Sequence, residues 1–117
     1  MFSTFAKTNQ SMLIGGTYSA GTAEQRKKNL DAMNIAAARL LEKGHIPLIG
    51  VNAALPVVEM SNAADRYKAI MDISLAVIDK CDGLLLLAES PGANKERDLI
   101  LSKGLPVFYN VDEIPGG

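Results

Sequence analysis

The sequence contains few of the residues on which metal centres, disulfides and histidine-based catalysis depend. Its 117 residues include one cysteine, Cys81, one histidine, His45, and no tryptophan. A single cysteine excludes an intrachain disulfide and a cysteine-based zinc cluster. A single histidine makes a Ser-His-Asp triad or a histidine-rich metal centre a poor interpretation. We therefore expect no metal and no cofactor, and we predict that Cys81 is a small buried hydrophobe.

The chain also lacks an excess of charge of either sign and any long hydrophobic run. Its formal net charge is -1 and its pI about 5.8, so we expect neither a nucleic-acid polymer nor an anionic membrane surface as partner. No stretch is long enough to span a bilayer and no export signal begins the chain, which predicts a cytoplasmic protein. A small phosphorylated ligand is compatible with this charge, since glycine loops and helix N-termini bind anions.

What the sequence does contain is an alternation of short apolar runs and longer segments of helical character. We predict a loose segment over residues 1–10 and a single domain over residues 11–117. Strands are predicted over residues 11–15, 45–51, 83–88 and 105–109, and helices over 23–43, 63–80 and 93–103. Residues 52–62 are predicted to form a loop, and residues 110–117 a short tail.

Helical spacing also predicts which face of each of the first two helices is buried. For the first helix the predicted face comprises Leu30, Met33, Asn34, Ala37, Ala38 and Leu41. For the second it comprises Tyr67, Ile70, Ser74, Val77, Ile78 and Cys81. Asp72 lies about 200° around the helix axis from Ser74, so we predict that it faces solvent near Lys68.

The order βαβαβαβ predicts an α/β fold. We expect one Rossmann-like or flavodoxin-like domain, with a mainly parallel sheet in the order 2-1-3-4 and helices on both faces. In that order the first and third strands are neighbours, and the helices that follow them leave on opposite sides of the sheet. This switch point, at the carboxyl edge of the sheet, is where such folds bind ligands. It brings the loop over residues 15–21 beside the loop over residues 89–96.

Glu96 is the candidate catalytic residue because it lies in the first turns of the helix that follows Ser90, Pro91 and Gly92. A carboxylate there can act as nucleophile or general base at an electron-poor carbon. The sugar carbon of an N-glycosidic bond fits, since a carboxylate stabilises or captures its oxocarbenium-like transition state. Alternatively, Glu96 only balances the positive end of the helix dipole. Tyr18, in the glycine loop, is expected to line the same crevice.

Three stretches of the chain are similar to a known group of proteins. The segments GGTYSAG, DISLAVIDKCDGLLLL and SPGANKERDLILSKGLPVFY together resemble the nucleoside 2-deoxyribosyltransferase-like superfamily, and within it the small DUF4406-type branch. The similarity covers the chain from about Ser11 to Tyr109. The resemblance implies a Rossmann-like fold and cleavage or transfer at the N-glycosidic bond of nucleosides or nucleoside monophosphates. It also implies a homodimer or higher homo-oligomer.

The resemblance assigns roles to individual residues of this chain. Glu96 matches the catalytic glutamate, and Tyr18 falls where an aromatic or hydroxyl group lies near the reacting sugar. Substrate-binding positions implied by the two loops and the second helix are Gly15, Gly16, Ser19, Gly21, Ser74, Ser90, Gly92 and Asn94. Ser74 stands where the superfamily usually has a second carboxylate, and Lys95 and Arg97 flank Glu96 where smaller or apolar residues are common.

Two functions follow from these residues and stay open at this point. The first is an N-glycosidase or 2-deoxyribosyltransferase-like enzyme that acts through Glu96. The second is a nucleotide-binding or sensing module without catalysis, which the serine at position 74 favours. A phosphoribohydrolase resembling the cytokinin-activating enzymes fits less well, because SPGANKE lacks the second glycine and the threonine of their PGGxGT-type loop.

Overall fold

The computed structural model describes residues 11–16 and 21–116. Within these residues the chain forms four strands, four α-helices and a short 3₁₀ helix. In chain order the elements are β1 (Ser11–Gly15), α1 (Ala23–Glu42), β2 (Ile46–Leu48), α2 (Gly50–Met60), α3 (Arg66–Ile78), β3 (Leu84–Leu86), α4 (Pro91–Ser102), β4 (Val107–Phe108) and the C-terminal 3₁₀ helix (Val111–Glu113). The predicted loose segment over residues 1–10 lies outside the described residues.

The four strands form one parallel sheet in the order β2-β1-β3-β4. Leu13 of β1 pairs with Leu48 of β2 on one side and with Leu84 of β3 on the other. The predicted α/β class, Rossmann-like architecture and strand order are therefore confirmed. Because β1 and β3 are adjacent and parallel, their carboxyl ends meet at one edge of the sheet.

Helices cover both faces of this sheet, as the alternation of side chains along β3 shows. Leu85 belongs to a core cluster with Met12 and Ile14 of β1 and Leu40 of α1. Leu84 and Leu86 belong to a second cluster that includes residues of α3 and α4. Successive side chains of a strand point to opposite faces, so α1 packs on one face and α3 and α4 pack on the other.

Three of the helices begin at a side chain that accepts a hydrogen bond from their first turn. Thr22 accepts from the Gln25 amide at 3.1 Å, Asp65 from Lys68 at 3.0 Å, and Ser90 from Ala93 at 3.0 Å. Such caps satisfy amides that have no partner inside the helix. Helix α2 begins after Ile49 with no side-chain cap.

Helix α2 corrects the prediction of a loop over residues 52–62. Gly50, Ala54 and Val58 are buried at intervals of four residues, which is the spacing of one helix face. Pro56, which has no N–H and normally breaks a helix, lies exposed inside it. Strand β2 is correspondingly shorter than the predicted span of residues 45–51, because the helix begins at Gly50.

The predicted buried face of α1 is partly wrong. That of α3 is right for Ser74 and Ile78 but wrong for Tyr67, which is 48% exposed. Helix α1 buries Met33, Ala36 and Leu40, while Leu41 is 64% exposed. Asn34 and Ala38 are also exposed, so the face is rotated by about one residue from the predicted one. Helix α3 buries Met71, Ser74 and Ile78, and as predicted Asp72 is exposed and pairs with Lys68 at 2.8 Å.

Cys81 is buried as predicted, and its thiol donates to the carbonyl of Val77 at 3.5 Å. Burial raises the pKa of this thiol to about 11, which disfavours the reactive thiolate. Among the described residues, no helix has both the length and the apolarity needed to cross a bilayer.

The C-terminal segment is a packed part of the domain and not the predicted short tail. Val111 and Ile114 are 5% and 1% exposed and belong to the core cluster of α1. Glu113 accepts hydrogen bonds from the amides of Tyr109 and Asn110 at 2.9 and 3.2 Å. The Pro115 carbonyl lies 2.6 Å from Nε2 of the buried His45. The segment therefore closes the core over α1 and β2.

We expect Ile114→Ala to lower the free energy of unfolding by about 2–5 kcal/mol, because it opens a cavity in the core. Urea denaturation followed by circular dichroism measures this loss. Ile35→Ala is the matched control, since Ile35 is 65% exposed on α1, and it should change the stability by about 0.5 kcal/mol or less. A loss at position 114 no larger than at position 35 would show that the segment is not docked.

Candidate functional site

A cavity of about 590 Å³ opens where β1, β2 and β3 reach their carboxyl ends. Its walls come from the end of β1, the first residues of α2, the middle of α3 and the first turns of α4. The apolar lining is formed by Ile14, Met33, Ile49, Val51, Ile70 and Met71. A cavity of this size and polarity is typical of small-molecule sites, which lie at this edge of open α/β sheets.

Glu96 places its carboxyl group inside this cavity and against β1. The residue is 8% exposed, and a methyl group added at Gly15 would lie 3.2 Å from its Oε1 and 3.1 Å from Leu84 Cδ1. Glycine at position 15 therefore provides the space that the carboxyl group occupies. Glu96 has no hydrogen bond or ion pair with the described residues.

Burial without a partner raises the pKa of Glu96 from 4.5 to about 7. Desolvation is the cause, because the apolar surroundings disfavour the charged form. The cations next to Glu96 in the sequence contact other groups. Arg97 pairs with Glu89 and Asp98, each at 3.2 Å. Lys95 Nζ lies 5.2 Å from the centre of the Tyr67 ring. Near neutral pH this carboxyl group is thus poised to exist in both protonation states.

Ser74 contributes a second polar group to the cavity. It is 3% exposed and has no hydrogen bond with the described residues. Its side chain packs on the first residue of α2, since a methyl group added at Gly50 would lie 2.6 Å from Ser74 Oγ. Any larger residue at position 50 would collide with this serine.

The turn that opens α4 forms the remaining wall. Ser90 and Gly92 line the cavity, and Ser90 Oγ is engaged as the cap of the helix. A methyl group at Gly92 would lie 3.1 Å from Met71 Sδ and 3.6 Å from Tyr67 Oη. Glycine therefore lets α4 approach α3 closely at this point.

The structure brings together most, but not all, of the residues predicted for the site. Gly16, Ser74, Ser90, Gly92 and Glu96 line one cavity, and Gly15 contacts Glu96.

Two predicted positions lie apart from the cavity. Gly21 is exposed, and a methyl group there would contact nothing. Asn94 accepts a hydrogen bond from Arg97 at 3.3 Å and is absent from the lining. Its side chain therefore bonds within α4 and not to the cavity. Tyr18 and Ser19 lie outside the described residues.

Residues 12–109 match the family described as Domain of unknown function (DUF4406). The chain belongs to this family. The matched region includes every residue that lines the cavity. Among curated proteins, none matches the chain.

Sequence reasoning missed several lining residues of this DUF4406 protein. Met71 precedes Ser74 on α3 by three residues and shares its face, so helical spacing could have placed it there; Tyr67 was predicted on this face but not as a site residue. Gly50 and Val51 were not considered as site residues because they were predicted to lie in a strand. Lys95 had no signal beyond its position next to Glu96. Within the described residues, no group of three acidic, histidine or cysteine side chains is placed to hold a metal ion.

We expect Glu96→Gln to stabilise the protein at alkaline pH and to have little effect at acid pH. Below pH 4.5 the carboxyl group is protonated in both the folded and the unfolded chain, so it does not affect folding. Between pH 4.5 and about 7 only the folded chain retains the proton, so the free energy of unfolding falls as pH rises. The full loss, about 3 kcal/mol, is present above the folded pKa, and the neutral glutamine avoids it.

Urea denaturation of wild type and Glu96→Gln at about pH 4 and about pH 8 tests this expectation. Glu59→Gln is the control, because Glu59 is exposed on α2 and the same change of charge there is screened by water. If both variants differ from wild type by the same amount at both pH values, the carboxyl group of Glu96 is not desolvated.

Proposed function

We propose that this DUF4406 protein binds a nucleoside or nucleoside monophosphate in the cavity and cleaves its N-glycosidic bond with Glu96. The observation that supports the proposal is a buried carboxyl group, without a partner among residues 11–16 and 21–116, in a cavity of small-molecule size. An ionisable group that is desolvated to a pKa of about 7 and lines a cavity is a candidate for catalysis. The likeness of the loop and helix motifs to the nucleoside 2-deoxyribosyltransferase-like superfamily supports the choice of reaction.

The proposed reaction has two steps. The ionised Glu96 attacks the anomeric carbon, the N-glycosidic bond breaks, and its electron pair leaves with the base, which takes a proton from solvent water. Water or a second base then attacks the glycosyl-enzyme ester and releases Glu96, as in retaining glycosidases. Water gives a hydrolase and a second base gives a transferase. A weakly solvated carboxylate suits the attack, because little water must be displaced from it.

A binding module without catalysis is the second candidate, and the lining of the cavity favours it. Glu96 is the one carboxyl group among the described lining residues. Ser74, at the position of the second carboxylate of the superfamily, can exchange hydrogen bonds but carries no charge. Such a protein would recognise a nucleotide and leave it intact.

We also propose that the protein forms homo-oligomers. Homo-oligomerisation is supported by the resemblance and by exposed apolar side chains on α2, where Val57 and Met60 are 60% and 90% exposed. We also propose a cytoplasmic location.

We expect the wild-type protein to release free base from at least one nucleoside or nucleoside monophosphate, and Glu96→Gln to reduce this rate by about a thousandfold or more. Glutamine keeps the shape of the side chain but cannot form the glycosyl ester. Chromatographic detection of the base over a panel of ribo- and deoxyribonucleosides and their monophosphates measures the rate.

Glu59→Gln serves as the control and should retain wild-type turnover. Equal release by wild type and Glu96→Gln would contradict the catalytic role of Glu96. Thermal stabilisation by a nucleotide without release of base would instead establish the binding module.

We further expect kcat/KM for base release to rise with pH and to level off above about pH 7, since the nucleophile must be ionised. A profile that falls over the same range would show that Glu96 acts as a general acid and would contradict the nucleophilic role.

A further inference from the structure

Helix α2 opens onto the cavity with free backbone donors. Its first hydrogen bonds run from the amides of Asn52 and Ala53 to the carbonyl of Ile49, at 3.1 and 3.3 Å. The amides of Gly50 and Val51 have no such bond among the described residues, and no side chain caps the helix. Gly50 and Val51 both line the cavity. The helix has eleven residues, enough for its aligned peptide dipoles to place partial positive charge at this end.

Ser74 provides an independent sign that this end of the cavity receives a ligand. The residue is 3% exposed, lines the cavity and lacks a hydrogen-bond partner in the described part of the chain. Its Oγ lies beside Gly50, 2.6 Å from where a methyl group on that residue would stand. The hydroxyl group is therefore available to donate a hydrogen bond to a ligand oxygen in the cavity.

We propose that the amides of Gly50 and Val51 and the hydroxyl group of Ser74 form a subsite for an anionic oxygen group of the ligand, a carboxylate or a phosphate. All three protein groups can donate hydrogen bonds, and the end of the helix attracts negative charge. The cation among the described lining residues, Lys95, adds to this attraction. The subsite is distinct from the turn that opens α4, where Ser90 already caps the helix.

The identity of residue 74 determines which ligand group this subsite accepts. An aspartate at this position would itself accept from the free amides of α2 and would repel an anion. Serine leaves the amides open and adds a donor to them. The inference deepens the proposed function and rests on its cavity, but binding alone tests it, without any turnover.

Isothermal titration of three related probes tests the subsite: uridine, uridine 5′-monophosphate and orotidine, which carries a carboxylate on the base. Wild type should bind at least one of the two anionic probes about tenfold or more tightly than uridine. A preference for the monophosphate identifies a phosphate as the recognised group, and a preference for orotidine identifies a carboxylate. Ser74→Asp should abolish the preference of the protein for that anionic probe over uridine, because the new carboxylate accepts from the amides of α2 and repels an anion.

A second pair of variants tests the backbone donors without a change at Ser74. Val51→Pro removes one amide donor in the first turn of α2, where proline is tolerated, and should weaken the preferred anion several-fold. Val51→Ala is the matched control, because it also removes the valine side chain but keeps the amide, and it should retain the preference.

Equal affinity of wild type for all three probes, or no measurable binding of either anionic probe, would overturn the subsite. A preference that survives both Ser74→Asp and Val51→Pro would also overturn it, since the anion would then bind elsewhere. Loss of base release in Glu96→Gln, or its absence in wild type, has no bearing on these affinities. Failure of the subsite and failure of the proposed reaction are therefore distinguishable.

Discussion

The parallel pairing of β1 with β3 is the constraint on which the rest of the site depends. Gly15 pairs with Leu86 at the end of this ladder, so the chain leaves both strands at one point. Helix α4, which follows β3, then places Glu96 against Gly15. A side chain at position 15 would occupy the space of the carboxyl group. Two segments about eighty residues apart in the sequence thus define one wall of the cavity.

The burial of Glu96 is unfavourable for folding at neutral pH. This cost distinguishes Glu96 from a carboxylate that only balances the helix dipole. A carboxyl group that served only to balance a helix dipole would stay ionised at no such cost, exposed to water at the first turn. Here the group lies inside an apolar cavity without a partner among the described residues. Ser74 is a second polar side chain in the same cavity that has no partner in this part of the chain. A ligand in the cavity, as proposed above, would bond to both groups.

The sequence predicts well those features that depend on local patterns. The bounds of β1 and the strand order follow from short apolar runs, turn residues and the rules of parallel sheets. Helix α4 was predicted from Ala93 and begins two residues earlier, at Pro91. Helix α2 was missed because Pro56 outweighed the helical spacing of its small buried residues. The docking of the C-terminal segment was missed because Val111 and Ile114 are separated by two acidic residues, so its apolar side is visible only in three dimensions.

The candidate site also contains some residues that the sequence predicts and others that only the packing of the helices reveals. Glu96, Gly16 and Gly92 could be predicted because topology alone brings the ends of β1 and β3 together. The contact of Tyr67 with Lys95 and the free amides of α2 could not, since they depend on how α2 and α3 pack over the sheet edge. Ser74 was predicted as a site residue, but its place beside Gly50, on which the proposed anion subsite rests, required coordinates.

The most direct test of this account is the pKa of Glu96 itself, measured by titration of its side-chain carboxyl carbon in ¹³C NMR, with Glu96→Gln to assign the resonance. The account predicts a midpoint near pH 7 in the free protein. A midpoint near the ordinary value of 4.5 would show that the carboxyl group is hydrated and would contradict the buried site.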